Sequence, residues 1–375
     1  MGKTILILGG GTGGVVAANV LSKVLPKEHR IALVDREKIH LFLASLPLVA
    51  IGKRRPWQIT RSLKKLEKRN IQFIEAEVQE FNPEEKTVLT DQGLLSYDSL
   101  IIALGAEQQG IPGYTFAINP YSLQGALQLQ SALDRFKQGH IALFVSSLPF
   151  TGAIAPYEIV LLVDAYFRSR GLRSKIEISI ITPEERLLSF VSRADSARLE
   201  EIMAKRNIKV LTSTQVRSLS PSRSLCLNEG DIEADLFIGI PHHVGPAPFR
   251  DSAVAGPQGW LEVDPHSLAT CCRDVYALGD AAGITSSAGS WIPKVGFFAH
   301  YEAEVVARNL ALHYANKEPH FRFVGGASGA SMLSGFNRGC FVSIQAYDHP
   351  PGGSLSVPKR TAYWTKTLFE KYWLG

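Results

Sequence analysis

Cysteine is scarce in this chain. The four present (Cys226, Cys271, Cys272, Cys340) are too few for a disulfide framework, and their spacings fit no zinc pattern. Redox use of one or more of them stays open. Long apolar runs are missing too: none reaches the ~18 residues that mark a membrane-spanning helix. The N-terminus enters an apolar stretch at Thr4 without the charged region, apolar core and cleavage site of a signal peptide, so the expected location is cytoplasmic. No repeat or low-complexity tract is present. Charge of one sign does not dominate either, with 40 basic side chains against 35 acidic ones. A net charge of +5 does not call for nucleic acid, though it suits an anionic membrane surface.

What remains describes a folded enzyme. Apolar residues make up 45% and charged residues 20% of 375 positions, a length that suggests two or three domains. The first 36 residues read as strand (4–8), glycine loop, helix (15–25, stopped by Pro26) and second strand (30–35), the βαβ unit with which parallel sheets begin. Residues 53–69 hold eight basic side chains against Glu67, with Leu63 and Leu66 at helical spacing. That pattern predicts a solvated helix face, with a lipid-headgroup contact as the alternative. A buried strand is expected at 97–103, then a linker with Gly110, Pro112, Gly113 and Pro120. A second strand–helix–strand pattern follows at 140–145, 157–170 and 176–181. Beyond Pro241 a strand at 274–278 and a helix at 295–314 are expected, then a loop-rich tail ending in a short helix.

Gly9-x-Gly11-x-x-Gly14 follows a strand and opens a helix, which is the context a dinucleotide fingerprint requires. The first glycine permits the turn, the second admits a pyrophosphate, and the third packs helix on strand. Thr12 and Gly13 complete the loop, whose bare N–H groups favour phosphate charge. Asp35, 21 positions after Gly14, stands where a ribose hydroxyl needs an acceptor. Two distal pieces bear on which dinucleotide binds. Residues 100–106 (LIIALGA) run a strand into Ala103 and Gly105, and 275–283 (VYALGDAAG) run one into Gly279 and Asp280. An acid at a strand end followed by small residues can approach ribityl hydroxyls and a flavin phosphate. Together the three pieces resemble flavoproteins with two dinucleotide-binding domains, in which the Gly-Asp segment marks FAD. The corresponding stretch of the second domain, 144–152 (FVSSLPFTG), has no G-x-G-x-x-G, which makes NAD(P)H an unexpected donor.

The chain resembles the sulfide:quinone oxidoreductase family and its cousin, the flavoprotein subunit of flavocytochrome c sulfide dehydrogenase. Six stretches carry the resemblance nearly end to end: GGGTGGVVAA, Ala155-Pro156-Tyr157-Glu158, Ile240-Pro241-His242-His243-Val244-Gly245, Pro293-Lys294-Val295-Gly296, Gly339-Cys340 and AYWTKTLFEKYWL. It implies an α/β fold of two Rossmann-type, three-layer domains plus a membrane-contacting C-terminal segment. The expected boundaries are 1–110 with 255–325 for FAD, 111–254 for the second domain, and 326–375 for the rest. It also implies a peripheral place on the cytoplasmic side of the membrane, a quinone acceptor, sulfide or a small thiol or persulfide as donor, and a possible homo-oligomer. Lys294 occupies the position of a lysine near the flavin pyrimidine ring. Phe297 and Phe298 fall where aromatics line the quinone pocket, though by helical pattern alone they read equally as core. Glu158 matches an acid near the sulfur site, though a first-turn glutamate also suits the helix dipole. Cys340 matches one of two redox cysteines.

The departures matter. The partner cysteine position holds Gly152, a further cysteine is absent near Tyr121, and the covalent flavin cysteine expected around 41–44 is absent, so FAD should be noncovalent. Without an intramolecular disulfide the usual scheme of hydrosulfide attack lacks its first sulfur pair. Three readings follow: a sulfide- or thiol-oxidising quinone reductase using Cys340 with an external thiol, a quinone reductase closer to type II NADH dehydrogenases, and a flavin-binding sensor or subunit without turnover. At the end of the chain, Trp364, Leu368 and Tyr372 share one helical face with Phe369 and Trp373 alongside, and Lys366 and Glu370 lie on another side. Aromatics flanked by lysines suit the interfacial zone of a bilayer, and packing on protein is the alternative.

Overall fold

The computed structural model describes residues 2–256, 259–286, 289–348 and 352–375. Its described α-helices are α1 (Thr12–Val24), α2 (Leu46–Ala50), α3 (Leu123–Arg135), α4 (Ala155–Ser169), α5 (Arg193–Ala204), α6 (Gly296–Tyr314) and α7 (Arg360–Leu374). The chain divides into two compact units. The first comprises Met1–Leu41, Thr60–Glu107 and Val244–Gly326, and the second Phe42–Ile59, Gln108–His243 and Ala327–Gly375.

The first unit is built on five parallel strands in the order Val275–Ala277, Ser99–Ile102, Thr4–Leu8, Arg30–Asp35, Ile71–Glu75. Thr4–Leu8 is central, and Leu8 pairs with Val34 on one side and Ile102 on the other. Its Ile5, Leu6, Ile7 and Leu8 are all buried, as a run covered on both faces demands. This strand order leaves Gly9, Asp35, Ala103 and Gly279 at the carboxyl ends of adjacent strands, where ligands of open α/β sheets bind.

The second unit repeats the scheme with four parallel strands in the order Ile208–Leu211, Ile176–Ile181, Gly139–Val145, Leu236–Ile240. In α4, 11 of 15 residues are buried, among them Glu158 and Asp164, so both acids require internal partners. Phe42–Ile59, which the sequence placed in the first domain, packs here. All five residues of α2 are buried, and the Phe42 ring lies 6.1 Å from Phe369 and 6.2 Å from Trp373.

Two local expectations are corrected. Residues 53–69 form no continuous helix but a 3₁₀ turn (Pro56–Gln58), a short strand (Thr60–Ser62) and a 3₁₀ helix (Leu63–Arg69). Pro56 disfavours helical geometry in the residue before it, and a 3₁₀ helix aligns positions three apart, which is why Leu63 and Leu66 are both buried. The expected loop-rich tail contains strands Gly326–Leu333, Gly339–Gln345 and Gly352–Leu355 in one sheet. Glycine, alanine and serine dominate the first of these, so β-propensity gave no signal. Among the described residues no helix is long and apolar enough to cross a membrane.

Candidate functional site

In the first unit, the glycine loop is shaped by close backbone approach. Gly9 has φ +105°, and a Cβ there would lie 2.3 Å from the Ala103 carbonyl oxygen. A Cβ on Gly14 would lie 1.8 Å from the Gly9 carbonyl oxygen, and one on Gly13 would strike the Leu278 side chain at 2.3 Å. Gly11 differs: a Cβ there would meet nothing within 4 Å. Gly9, Gly13 and Gly14 are thus required by protein packing, whereas Gly11 is required by nothing among the described residues. The N-terminus of α1 has no side-chain cap and no acid in its first turn, which leaves its N–H groups and positive dipole end to an anion.

Asp35 accepts the Gly10 N–H on one carboxylate oxygen (2.5 Å) and the Glu37 N–H on the other (2.7 Å). Two backbone bonds leave it further acceptor capacity for ribose hydroxyls. Beneath the loop, buried His40 donates Nδ1–H to the Gly10 carbonyl (2.9 Å), and burial lowers its pKa. At the other strand ends, Gly105 (φ +72°) has no atom within 4 Å of a Cβ position, and Gly279 (φ +67°) turns the chain toward Asp280. The half-buried Asp280 carboxylate accepts no hydrogen bond among the described residues. Burial raises its pKa, partly offset by Lys294. A Cβ-free cradle at Gly11, spare acceptors on Asp35 and a carboxylate without a donor at Asp280 fit the pyrophosphate, ribose and ribityl groups of FAD.

Lys294 is buried. Its Nζ donates to the carbonyls of Asp280 and Ala282, both at 2.9 Å, and sits 3.9 Å from the centre of the Trp260 ring. It therefore clamps the Gly-Asp loop. Burial brings its pKa down to about 8, against the opposing pull of Asp280 and Glu302. Glu302 on α6 accepts the Gly279 N–H at 2.6 Å, and burial pushes its carboxyl up to about 7. Glu302 and Trp260 escaped the sequence reading. The available signal for Glu302 was an acid on the otherwise apolar stripe Phe298, Val305, Val306 of α6.

Phe298 is 2% exposed and packs edge-on against Phe323 at 5.3 Å, a core position within the first unit. Phe297 is half-buried. Cys271 and Cys272, with sulfurs 4.0 Å apart, lie before the Val275–Ala277 strand, at its end away from Asp280.

The second unit positions the other sequence candidates. The Tyr157 hydroxyl donates to Glu184, and the Glu158 carboxylate takes Lys366 on both oxygens (2.5 and 2.7 Å) and the Leu333 N–H (2.9 Å). Glu158 is thus one half of a buried ion pair. Cys340, in Gly339–Gln345, is fully buried, and burial pushes its thiol up to about 11 despite Arg206 and Arg198. Gly152 has φ +62° and accepts a long hydrogen bond from Tyr121 (3.5 Å). After the Gly139–Val145 strand, Ser146 donates both its N–H (3.0 Å) and its hydroxyl (2.8 Å) to Ile240, while Ser147 bonds His242 and Thr151 bonds His243 (3.1 Å). Serine and threonine side chains occupy the loop that a pyrophosphate-binding glycine turn would form.

A family model described as pyridine nucleotide-disulphide oxidoreductase matches residues 3–295. The mitochondrial sulfide:quinone oxidoreductase of Mus musculus is 27% identical, covering 92% of this chain and 78% of that protein. The type II NADH:quinone oxidoreductase of Staphylococcus aureus is 30% identical, covering 98% and 96%. The solved sulfide:quinone oxidoreductase of Aquifex aeolicus superposes with a TM-score of 0.90 over 99% of this chain and 90% of that one, at 24% identity, a likeness of fold. The expected α/β dinucleotide-binding fold and the resemblance to sulfide:quinone oxidoreductases are borne out. The chain belongs to the pyridine nucleotide-disulphide oxidoreductase family, as an FAD-dependent oxidoreductase.

Proposed function

We propose that this chain oxidises sulfide, or a related thiol or persulfide, and reduces a quinone, with noncovalent FAD as the carrier. The observation that carries this reading is the loop after the Gly139–Val145 strand, where Ser146 and its neighbours spend their donors on the chain itself. An NAD(P)H pyrophosphate would find no glycine cradle there. The names of the mouse and Aquifex relatives supply the donor and acceptor classes.

FAD would be held by Gly9, Gly11, Thr12, Gly13, Gly14, Asp35, Ala103, Gly105, Gly279 and Asp280, and would supply two-electron exchange between donor and acceptor. The chain's own contribution lies beside it. Lys294 fixes the backbone of 280–282 through two carbonyls and keeps a third N–H for an acceptor. With pKa values near 8 and 7, Lys294 Nζ and the Glu302 carboxyl can each hold or release a proton near neutral pH. We place Cys340 as the sulfur that meets the donor, working with an external thiol because position 152 is glycine. The outward face of α7 supports a peripheral membrane location.

The 30% identity to the Staphylococcus aureus type II NADH:quinone oxidoreductase favours a second reading, with NADH as donor. Anaerobic mixing of the flavin-loaded protein with sulfide, with NADH and with neither separates the two. Bleaching of the flavin absorbance by sulfide alone is expected, and bleaching by NADH alone overturns the proposal.

A further inference from the structure

The second unit holds a cluster of cations that the redox reading does not use. We propose that it forms a binding site for a phosphate-type oxyanion, in a cavity of about 380 Å³ where the 334–338 turn meets the C-terminal ends of α4 and α5. Arg168, Lys205, Arg206, Arg338, Asn337 and Ser334 are among its lining residues. The volume lies at the lower edge of small-molecule pockets, roughly 300–1,000 Å³.

The charge balance points to an anion. Asp164, fully buried on α4, is shared by three guanidinium groups: Arg168 (2.9 Å), Arg173 (2.6 Å) and Arg206 (3.2 Å). One carboxylate cannot neutralise three cations. Lys205 is matched by Glu201 at 3.2 Å, but both side chains are exposed and such a pair is weak. The Arg338 side chain makes no hydrogen bond or ion pair among the described residues. Five cations thus stand against two carboxylates. The Arg206 carbonyl, just past the end of α5, already receives Arg168 (3.3 Å) and Arg173 (2.7 Å) and so is not left to repel an anion.

A second observation is independent of charge. Ser334 is a lining residue of the cavity, and its hydroxyl is wholly buried and has no hydrogen-bond partner among the described residues. A buried hydroxyl left unpaired is costly, and a phosphate oxygen would satisfy it. Guanidinium, ammonium, amide and hydroxyl donors arriving from three separate chain segments suit a tetrahedral oxyanion better than a planar carboxylate.

The test uses the full-length protein with FAD bound, so that the dinucleotide loop of the first unit is filled. Inorganic phosphate is titrated calorimetrically at constant ionic strength into wild type, Arg338→Gln and Ser334→Ala. Saturable binding is expected, weakened about tenfold or more in Arg338→Gln and measurably in Ser334→Ala, with flavin content unchanged. Vesicles containing phosphatidate, set against pure phosphatidylcholine, identify the source: competition with inorganic phosphate marks a lipid headgroup, and its absence marks a free phosphate. No saturable binding to wild type, or equal affinity in Arg338→Gln, overturns the proposal.

Discussion

Lys366 of α7 places its ammonium against both carboxylate oxygens of Glu158 in the first turn of α4, and both side chains are buried. The pair joins the last helix to the middle of the second unit. Glu370, one turn further on, does the same with Arg54 (2.7 Å) and Ser45. Lys366 and Glu370 of α7 therefore face inward. Lys366→Met should destabilise the protein by about 3–5 kcal/mol, because it leaves a buried carboxylate unmatched. Glu158→Gln combined with Lys366→Met should cost less than Lys366→Met alone. Urea denaturation of the three variants checks this. A double variant no more stable than Lys366→Met would show that the pair is not coupled.

The glycine loop offers a cleaner separation of fold from cofactor. Gly14→Ala should impair folding, since its Cβ would lie 1.8 Å from the Gly9 carbonyl oxygen. Gly11→Ala meets open space and should fold normally while losing bound FAD. Circular dichroism and flavin absorbance of the two purified variants decide the matter. Full flavin content in Gly11→Ala would remove that loop from the phosphate site.

Glu302 predicts a pH dependence with a definite sign. Its carboxyl ordinarily titrates near 4.5 and is raised to about 7 in the fold by burial. The folded state therefore keeps a proton that the unfolded chain has already lost. The stability it contributes is full below about 4.5 and is lost as pH rises toward 7. Denaturation midpoints of the FAD-free protein should fall across that window, and Glu302→Gln should flatten the slope. An unchanged slope in the variant would assign the dependence to another group.

Cysteine chemistry gives a fourth test. Cys340→Ser should abolish flavin bleaching by sulfide and spare FAD content, if the buried thiol becomes accessible to the donor. Gly152→Cys would refill the missing partner-cysteine position and should raise sulfide turnover. The structure adds a cost: at φ +62° a side chain is strained by ~1–2 kcal/mol, although its Cβ would only touch Ala155 and the Tyr121 hydroxyl at 3.6 Å. A lowered melting temperature is expected alongside any gain in turnover.

Strand, glycine loop and acid at the front of the chain were legible because each is local: an apolar run, a turn that only glycine permits, and a carboxylate at a strand end. Thr4–Leu8 and Arg30–Asp35 fall where periodicity put them. What sequence could not reveal depends on partners far along the chain. Glu158 looked like first-turn dipole chemistry because Lys366 lies 208 positions away. Phe297 and Phe298 were indistinguishable by pattern, and only the position of Phe323 shows which is core. The Gly326–Leu333 strand was hidden by composition, since its pairing rests on backbone bonds that glycine and serine supply as well as valine does.

The inversion of α7 leads to the last prediction. With Ala362, Lys366, Glu370 and Leu374 buried, the opposite face carries Trp364 at 59%, Leu368 at 62% and Tyr372 at 81% exposure. Three large side chains at i, i+4 and i+8 on one exposed face have the geometry of a helix lying in a headgroup layer. Deleting the helix would tear out the ion pairs to Glu158 and Arg54, so loss of membrane binding after truncation would prove nothing. Substitution on the outer face alone avoids that confusion. Trp364→Ser, Leu368→Ser and Tyr372→Ser together should leave the melting temperature and flavin content unchanged. If each side chain inserts with ~1.5 kcal/mol or more, vesicle affinity should fall by more than about a hundredfold. Co-sedimentation with anionic vesicles measures it. Unchanged binding would move the membrane contact off this helix, whereas a drop in melting temperature would mean the face is covered by protein in solution.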